Sequence, residues 1–391
     1  MHVVIAGGGV AALEAVIALR DLAGDRVSVT MLAPEDDFVF KPLSVGEPFA
    51  LGDARRVPLK RFARDLDIEL VHDGLASVSP SSHLVKLLSG EELTYDKLVI
   101  ATGARREEPY EHATTFRGQE DSEMLRGLIQ DLEGQYAKRI GFVVPSGVTW
   151  SLPLYELALM TARRAYEMSL EDVELTLVSP EEQPLAIFGP GPSDEVRDLL
   201  EQAGIAIRCG VHAEVPRQGT IVLRPGGDEI ACDRIVTLAR LRGNAIRSLP
   251  HDDDGFLPID NHGRVVGADD VYAAGDGTNF PIKQGGIACQ QADAVAEVIA
   301  KMAGASLEPR SFRPVLRGRL ITGGESRFMR TDLSGREGDT SQTSPETLWW
   351  PPSKVAGRYL APYLHETEAA VKREAHRRQE LMNREYEVRP G

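Results

Sequence analysis

His2-Val3-Val4-Ile5-Ala6, followed by Gly7-Gly8-Gly9-Val10-Ala11-Ala12, is the stretch that decides the fold. The first five residues form an apolar run typical of a buried strand, and the glycines form a turn. Apolar residues at helical spacing continue from Leu13 to Ala23, and residues 27–32 form a second apolar run. A strand, a glycine turn, a helix and a second strand within about 30 residues indicate a βαβ unit. We therefore predict an α/β fold whose first parallel sheet begins here.

The glycine turn has the spacing of a dinucleotide-binding fingerprint, Gly7-x-Gly9-x-x-Ala12. Gly7 permits the turn, Gly9 lets the backbone approach a pyrophosphate, and Ala12 is small enough for helix and strand to touch. The phosphates would be bound by N–H groups at the helix start, where Val10 and Ala11 lie and the helix dipole is positive. Glycine turns also occur in α/β proteins that bind no nucleotide, so this motif alone leaves both interpretations open.

One part of the fingerprint is missing. The acidic residue that usually binds a ribose hydroxyl about 20 residues later would stand at the end of the second strand, where this chain has Ala33. Glu35 is the carboxylate that we expect to reach the ribose instead.

The overall composition narrows the functional classes. A chain of 391 residues is long enough for two or three domains, and its net charge of -15 argues against a nucleic-acid partner. The sequence predicts neither a signal peptide nor an apolar run of about 18 residues that would span a membrane. Cys209, Cys232 and Cys289 are odd in number and far apart, as expected of buried cysteines in a reducing compartment. We expect a cytoplasmic protein, either free or in peripheral contact with a membrane, without a metal site.

Two further stretches each indicate a buried strand that ends in small residues. Tyr95 to Ala104 includes Ala101-Thr102-Gly103, where small side chains let the chain pass beside a bound cofactor. Asp270 to Gly277 ends in Gly275-Asp276-Gly277, which places the Asp276 carboxylate to accept a hydrogen bond from a sugar-alcohol hydroxyl, although such a triplet also occurs in plain turns. Short strands of a meander are predicted at residues 68–71, 76–78, 83–87 and 91–94.

In this order and at this separation, the three motifs resemble those of the two-dinucleotide-binding-domain flavoproteins. In that superfamily an FAD domain is interrupted in sequence by an NAD(P)H-binding domain, and a C-terminal segment closes over the flavin. Phe40-Lys41-Pro42 and residues 279–286 are most similar to the branch of sulfide:quinone oxidoreductases, flavocytochrome c sulfide dehydrogenase flavoprotein subunits and type II NADH dehydrogenases.

The resemblance implies two Rossmann-like three-layer domains. The FAD-binding domain would comprise residues 1–111 and 256–311, the inserted NAD(P)-binding-like domain residues 112–255, and a C-terminal cap residues 312–391.

The resemblance also implies a non-covalently bound FAD. Gly285-Gly286 would begin a helix whose positive end faces the pyrimidine edge of the flavin, with the charge of Lys283 nearby. The alternative is that Lys283 is a solvated loop lysine. The FAD-binding residues that we expect are Gly7, Gly9, Val10, Ala11, Ala12, Glu35, Lys41, Pro42, Ala76, Ala101, Thr102, Gly103, Gly275, Asp276, Lys283, Gln284 and Gly285.

Residues 112–255 repeat the strand and helix pattern of the first unit, but with an altered phosphate turn. Where Gly-x-Gly-x-x-Gly is expected, the chain has Pro145-Ser146-Gly147-Val148-Thr149-Trp150. Proline lacks an N–H and fixes φ, and an indole in the third position obstructs contact between helix and strand. Ser179-Pro180 also offers no carboxylate or arginine to a ribose. We predict that no nicotinamide nucleotide binds in the usual pose; the competing interpretation is an atypical NADH site that uses Glu181 or Glu182.

The chain also lacks the cysteines of its relatives. Disulfide-type flavin reductases carry a cysteine pair near Phe38 to Gly46, and the sulfide oxidoreductases carry cysteines at places that correspond here to Trp150 and to Ile321 through Glu325. None of these places has a cysteine. Sulfur chemistry needs a thiolate, and Cys289, on the helix after residue 285, is expected to be a packed core residue.

The C-terminal segment is predicted in three parts. Thr331 to Thr347 is polar and is predicted as a surface loop. Residues 348–364 concentrate aromatics, which in related quinone reductases cover the flavin and line a quinone pocket or contact the membrane; the alternative is that they only cap the FAD domain or bury a homodimer contact. Glu366 to Tyr386 is predicted as a charged helix that is solvated or in a subunit contact rather than inserted in lipid.

These inferences favour an FAD-dependent oxidoreductase of the sulfide:quinone oxidoreductase-like group, which passes electrons from an unknown small-molecule donor to a quinone or another acceptor. The alternatives are an NADH dehydrogenase with an atypical nucleotide site and a flavin-binding regulatory protein whose redox state controls a partner surface. The sequence identifies no catalytic acid or base.

Overall fold

The structure, a computed structural model, describes residues 1–118, 121–334, 340–369 and 373. The first part of the chain alternates short strands with two helices and the 3-10 helix Lys41–Phe49. Its elements are β1 (His2–Ala6), α1 (Val10–Ala23), β2 (Ser28–Leu32), β3 (Asp37–Val39), β4 (Arg56–Pro58), α2 (Leu59–Asp65), β5 (Glu69–Val71), β6 (Leu75–Ser79), β7 (Leu84–Leu87), β8 (Glu92–Thr94), β9 (Lys97–Ile100) and β10 (Arg105–Glu107).

The middle of the chain repeats this alternation with longer helices, and the last part adds one helix and three strands. The middle elements are β11 (Thr114–Phe116), α3 (Ser122–Glu133), β12 (Arg139–Val143), α4 (Leu152–Glu167), β13 (Glu174–Val178), α5 (Pro190–Gln202), β14 (Ile205–Arg208), β15 (His212–Arg217), β16 (Thr220–Arg224), β17 (Glu229–Ala231), β18 (Arg234–Leu238) and β19 (Arg240–Arg242). The last elements are β20 (Val271–Ala273), α6 (Gly285–Met302), β21 (Val315–Leu320), β22 (Arg327–Asp332) and β23 (Gln342–Ser344), and residues 360–369 are helical.

The first sheet is parallel and has the order β20-β9-β1-β2-β5. Strand β1 shows why its sequence is a continuous apolar run. Val3 and Ile5 pack against α1 and α6 on one face, whereas Val4 and Ala6 pack against the antiparallel meander β6-β7-β8 on the other. Because side chains alternate along a strand, burial on both faces requires apolar residues at every position. This three-layer arrangement confirms the predicted α/β class.

The second sheet, β11-β18-β12-β13-β14, is also parallel. Helices α3, α4 and α5 pack on one face of it, and the antiparallel sheet β15-β16-β17 packs on the other. The C-terminal sheet β21-β22-β23 lies against α4, where Gly318 allows the close approach: a Cβ there would lie 2.9 Å from Leu152 Cδ1 of α4. The two sheets therefore repeat one architecture.

Two strand predictions were wrong. Residues 69–71 form β5 at the edge of the first sheet beside β2, not a strand of the meander. The predicted loop Thr331 to Thr347 begins within β22 and contains β23, which pairs with β22. Short or polar stretches do not reveal a strand partner, since exposed edge strands tolerate polar residues.

Most of the predicted helix Glu366 to Tyr386 lies outside the described residues. Among the described residues, none of the helices combines the length and apolar character that a membrane span needs.

Candidate functional site

The carboxyl ends of β1, β9 and β20 lie side by side, and the three sequence motifs meet there. A Cβ on Gly7 would lie 2.2 Å from the Ala101 carbonyl oxygen, and a Cβ on Gly275 would lie 3.2 Å from Ala11 Cβ. Small residues are therefore required where these loops pass each other. Segments that are far apart in sequence form one edge of the sheet, as the motifs predicted.

Gly9 faces open space at this edge. It precedes α1 in an extended conformation (φ -91°, ψ -168°), and a Cβ on it would meet no atom within 4 Å. In the described part of the chain no side chain caps α1, and its first turn contains no acidic residue. The N–H groups of that turn are thus available to an anion.

Other residues that were predicted to bind FAD lie farther from this edge or are held by other side chains. Glu35 is exposed, two residues after Ala33, and Ala76 is exposed on β6. Neither borders the cavity described below. Thr102 and Gly103 are held by Asn244, whose side-chain amide donates to Thr102 Oγ1 (3.2 Å) and to the Gly103 carbonyl (3.0 Å).

A cavity of ≈ 470 Å³, which we call the flavin-side cavity, lies where this edge, the turn before α4 and the C-terminal segment meet. The predicted residues on its wall are Lys41, Pro42, Asp276, Lys283, Gln284 and Gly285. The altered turn contributes Gly147, Val148, Thr149 and Trp150, and the C-terminal segment contributes Arg319, Lys354 and Val355.

The start of α6 is fixed by its own cap and by the C-terminal segment. Gln284 Oε1 accepts a hydrogen bond from the Ile287 N–H (2.9 Å), and Gln284 Nε2 donates to the Arg317 carbonyl (3.1 Å). A Cβ on Gly285 would lie 2.8 Å from Val355 Cγ2, so only glycine lets the segment approach so closely.

Lys283 and Asp276 are the opposite charges at this end of the cavity. Lys283 Nζ donates to the Thr278 carbonyl and lies 3.7 Å from the ring centroid of Phe256. Burial lowers the pKa of Lys283 to about 8, and Asp276 and Asp252 oppose that shift. Burial raises the pKa of Asp276, with Lys283 the strongest opposing charge. Lys283 is therefore a half-buried residue of the cavity wall, not a solvated loop lysine.

A buried ion pair that the sequence did not reveal joins α4 to the C-terminal segment. Lys354 Nζ lies 2.7 and 2.6 Å from the two carboxylate oxygens of Glu156, and the side chains are 7% and 0% exposed. The Ile321 N–H donates to the same carboxylate (2.8 Å). Burial raises the pKa of Glu156 and lowers that of Lys354, and each charge opposes the shift of the other. The signal in the sequence was Glu156 itself, a carboxylate among the apolar residues Leu152 to Met160 of α4.

Glu181, the candidate for an atypical NADH site, follows β13 and is held by hydrogen bonds from three hydroxyl groups. Its carboxylate accepts hydrogen bonds from Ser151 Oγ (3.0 Å), Tyr155 Oη (2.8 Å) and Ser179 Oγ (2.8 Å). Burial raises the pKa of Glu181, and these three hydroxyls oppose the shift. The carboxylate therefore lies beside the start of α4, where a pyrophosphate would bind in the usual pose. Glu182 is exposed.

Residues 1–294 match the family described as "Pyridine nucleotide-disulphide oxidoreductase". The chain belongs to this family. The expected superfamily is thereby confirmed, together with FAD as the cofactor and an FAD-dependent oxidoreductase as the class of enzyme.

Among curated proteins, a sulfide-quinone reductase of Aquifex aeolicus is 28% identical over 209 residues, which are 51% of this chain and 47% of that protein. The matched part thus spans about half the length of that relative. A solved sulfide:quinone oxidoreductase from Aquifex aeolicus is similar with a TM-score of 0.78 and 20% identity over 88% of this chain and 87% of that chain. NDH2 from Plasmodium falciparum in complex with RYL-552 is similar with a TM-score of 0.66 and 12% identity, over 87% of this chain and 91% of that chain.

The cysteines of this family member all lie away from the flavin-side cavity. Cys289 is fully buried, as expected, and burial raises its pKa far above the usual thiol range. Burial also raises the pKa values of Cys209 and Cys232 to about 11. Ile321 through Glu325 do not border the flavin-side cavity, whereas Arg319 on β21, which the sequence did not reveal, does.

A second buried carboxylate, Glu14 on α1, holds the start of the C-terminal helix. It accepts hydrogen bonds from the N–H groups of Tyr359 (2.9 Å) and Leu360 (2.7 Å), the donors that a helix start leaves free. Asp293 on α6 lies beside it, and Asp293 Oδ1 has no hydrogen-bond partner among the described residues. Burial and then the charge of Glu14 raise the pKa of Asp293 to about 8, which Arg358 opposes. The Glu14–Asp293 pair therefore holds a proton at pH values at which free carboxyl groups have lost theirs.

We expect Asp293→Asn to be more stable than the wild type, by a margin that grows from pH 5 to pH 8. An unfolded aspartate has a pKa of about 3.9, so between about pH 4 and pH 8 the native state holds a proton that the unfolded state has released. The stability of the wild type therefore falls as pH rises, by at most about 1.4 kcal/mol per pH unit, whereas the amide does not titrate. Urea unfolding of both proteins at pH 5, 6, 7 and 8 measures this difference in the free energy of unfolding. A difference that stays the same at all four pH values would contradict the prediction.

Proposed function

We propose that this protein takes electrons from a small-molecule donor and passes them, through its FAD, to a quinone or another small acceptor, in the manner of a sulfide:quinone oxidoreductase but without the cysteine chemistry. The observation that carries the proposal is the flavin-side cavity. It joins the edge formed by Asp276 and the start of α6 to the C-terminal segment, and no cysteine borders it in the described part of the chain. The names of the similar proteins support the quinone as acceptor.

The residues present fit FAD. The open space at Gly9 and the free N–H groups of α1 suit a pyrophosphate. Ala101 fills the space beside Gly7, so the open side of the turn is the one at Gly9. Asp276 would accept a hydrogen bond from a ribityl hydroxyl. When bound, FAD supplies two-electron transfer between donor and acceptor.

The chain's own contribution is electrostatic. Lys283 Nζ and the start of α6 lie on the same wall, and both favour negative charge in the adjoining cavity. Half-burial strengthens this effect because fewer water molecules screen the ammonium. A pKa of about 8 leaves Lys283 mostly protonated at pH 7 and able to give up a proton at Nζ.

A nicotinamide nucleotide is not the donor in this proposal. Glu181 presents a carboxylate at the start of α4, and like charge disfavours a pyrophosphate there. Trp150 packs on Phe188 with ring centroids 5.9 Å apart, which fixes the indole in the turn.

A second cavity of ≈ 180 Å³ shares Arg319 and Lys354 with the flavin-side cavity. Its other lining residues include the apolar Phe40, Leu43 and Leu364 as well as the charged Arg55 and Glu368, and the apolar part supports a quinone as the acceptor. Trp350, whose ring contacts His365 at the rim, is 74% exposed. We propose that this face makes the peripheral membrane contact; a homodimer stays a prediction.

An anaerobic spectroscopic experiment tests the function. We expect the purified protein to be yellow, its dithionite-reduced form to be reoxidised by decylubiquinone within seconds, and the oxidised form to stay yellow with NADH or sulfide. Rapid bleaching by NADH would instead support the atypical NADH site. A flavin that no quinone reoxidises, in a protein whose oligomeric state follows its redox state, would favour the regulatory protein.

A further inference from the structure

The wall of the flavin-side cavity has a charge opposite to that of the whole chain. Although the chain carries a net charge of -15, the wall contains six cationic side chains and three carboxylates. The cations are Lys41, Arg106, Arg117, Lys283, Arg319 and Lys354, and the carboxylates are Asp252, Asp254 and Asp276. Lys41 and Lys283 are among the residues that we expect to bind FAD, but a quinone, which is neutral, gives no reason for the other four cations.

Several of these charges already have partners. Lys354 is paired with Glu156, and Arg117 with Asp121 and Glu108. Asp254 is paired with Arg242, which lies outside the cavity wall. Two of the six cations and one of the three carboxylates are thus neutralised by residues outside the cavity wall.

Arg319 makes no ion pair at contact distance among the described residues, although its charge also acts on the Glu156 carboxylate. Its Nε donates to Ser326 Oγ at 3.4 Å and its Nη1 to the Pro352 carbonyl at 3.3 Å, and both hydrogen bonds are long. Its guanidinium lies 5.6 Å from the ring centroid of Phe328. It also lowers the pKa of the neighbouring Lys354, since two cations face each other there. A half-buried guanidinium with unused donors, next to a second cation, favours an anionic ligand.

Arg106, on β10, is the second cation that borders the cavity without an ion pair at contact distance in the described part of the chain, and it acts on Asp276 from farther away. Aromatic side chains form much of the rest of the wall: Phe116, Trp150, Phe256 and Phe280. Flat apolar surfaces beside a guanidinium suit a planar molecule that carries one acidic group.

We propose that the flavin-side cavity binds a small organic carboxylate, with Arg319 as the residue that selects for its charge. This substrate class rests on the proposed function, because it assumes that FAD occupies the adjoining edge. Arg319 is half-buried, and the chain as a whole is negatively charged. Its attraction for an anion therefore acts within the cavity and does not come from the overall charge of the protein. Arg319 would favour the binding of a carboxylate over that of a neutral molecule, and this preference needs no covalent step and no additional cofactor.

The test compares benzoate with benzamide, its neutral isostere, on FAD-loaded protein by flavin difference absorbance. We expect benzoate to bind at least about tenfold more tightly, which corresponds to about 1.4 kcal/mol. In Arg319→Gln the two probes should bind alike, with the affinity for benzamide unchanged. Arg317→Gln, two residues earlier on β21 and outside the cavity wall, should keep the preference of the wild type.

Equal binding of benzoate and benzamide by the wild type would overturn the inference, and so would an unchanged preference in Arg319→Gln. The comparison on the wild type needs no variant, so it decides the matter even where Arg319→Gln does not fold. A colourless protein that takes up no FAD would overturn the proposed function. A yellow protein that is reoxidised by quinone but does not distinguish the probes would overturn only the carboxylate selection.

Discussion

Lys354→Met is expected to lower the free energy of unfolding by about 3–5 kcal/mol, because it leaves the Glu156 carboxylate buried without a counter-charge. The Glu156 side chain is 0% exposed, and its remaining described hydrogen bond comes from the Ile321 N–H. One N–H does not replace an ammonium 2.6 Å away. The loss should shrink at low pH, since burial raises the pKa of Glu156 and protonation removes the uncompensated charge. Urea unfolding at pH 5 and pH 8 measures both effects.

The double variant Glu156→Gln/Lys354→Met should recover most of that stability, because it removes both charges and keeps similar volumes. Lys301→Met is the matched control: Lys301 Nζ lies 2.7 Å from Glu308, but both side chains are exposed, and we expect a loss below about 1 kcal/mol. If Lys354→Met were no less stable than this control, the buried pair would not be what holds the C-terminal segment to α4.

The pair also shows which parts of the site a sequence can reveal. The fingerprint at Gly7 to Ala12, the Ala101-Thr102-Gly103 turn and the Gly275-Asp276 turn were predictable, because each is written in consecutive residues whose small size has a local reason. Their meeting at one sheet edge followed from parallel order, since carboxyl ends of parallel strands share an edge. Glu156 and Lys354 are 198 residues apart, and neither has a local pattern that names the other.

Arg319 was missed for a different reason. Its exposure to the cavity depends on which face of β21 meets α4, and this is fixed by Leu316 and Leu320, which pack in the core of the second sheet. A one-residue shift would turn Arg319 inward and these leucines outward. The register of β21 on α4 therefore decides where Arg319 lies, and no local sequence pattern reveals that register.

Gly9→Glu is expected to weaken FAD binding by at least about 100-fold, or about 2.7 kcal/mol, while the flavin-free protein stays as stable as the wild type. A Cβ at this position would meet no protein atom within 4 Å, and φ of -91° is accessible to any residue, so folding is not opposed. A carboxylate at the start of α1 is also favourable for the free helix. It would occupy, with like charge, the space that we assign to the pyrophosphate.

Adding FAD to flavin-free protein and following the quenching of flavin fluorescence measures this affinity. Gly127→Glu is the matched control, because a Cβ at Gly127 in α3 would also meet no atom within 4 Å. The affinity of this variant for FAD should equal that of the wild type. Gly7→Ala would not serve, since its Cβ would lie 2.2 Å from a backbone oxygen and would disturb the fold itself. Wild-type affinity in a folded Gly9→Glu protein would mean that the phosphates bind elsewhere, and the assignment of α1 would be wrong.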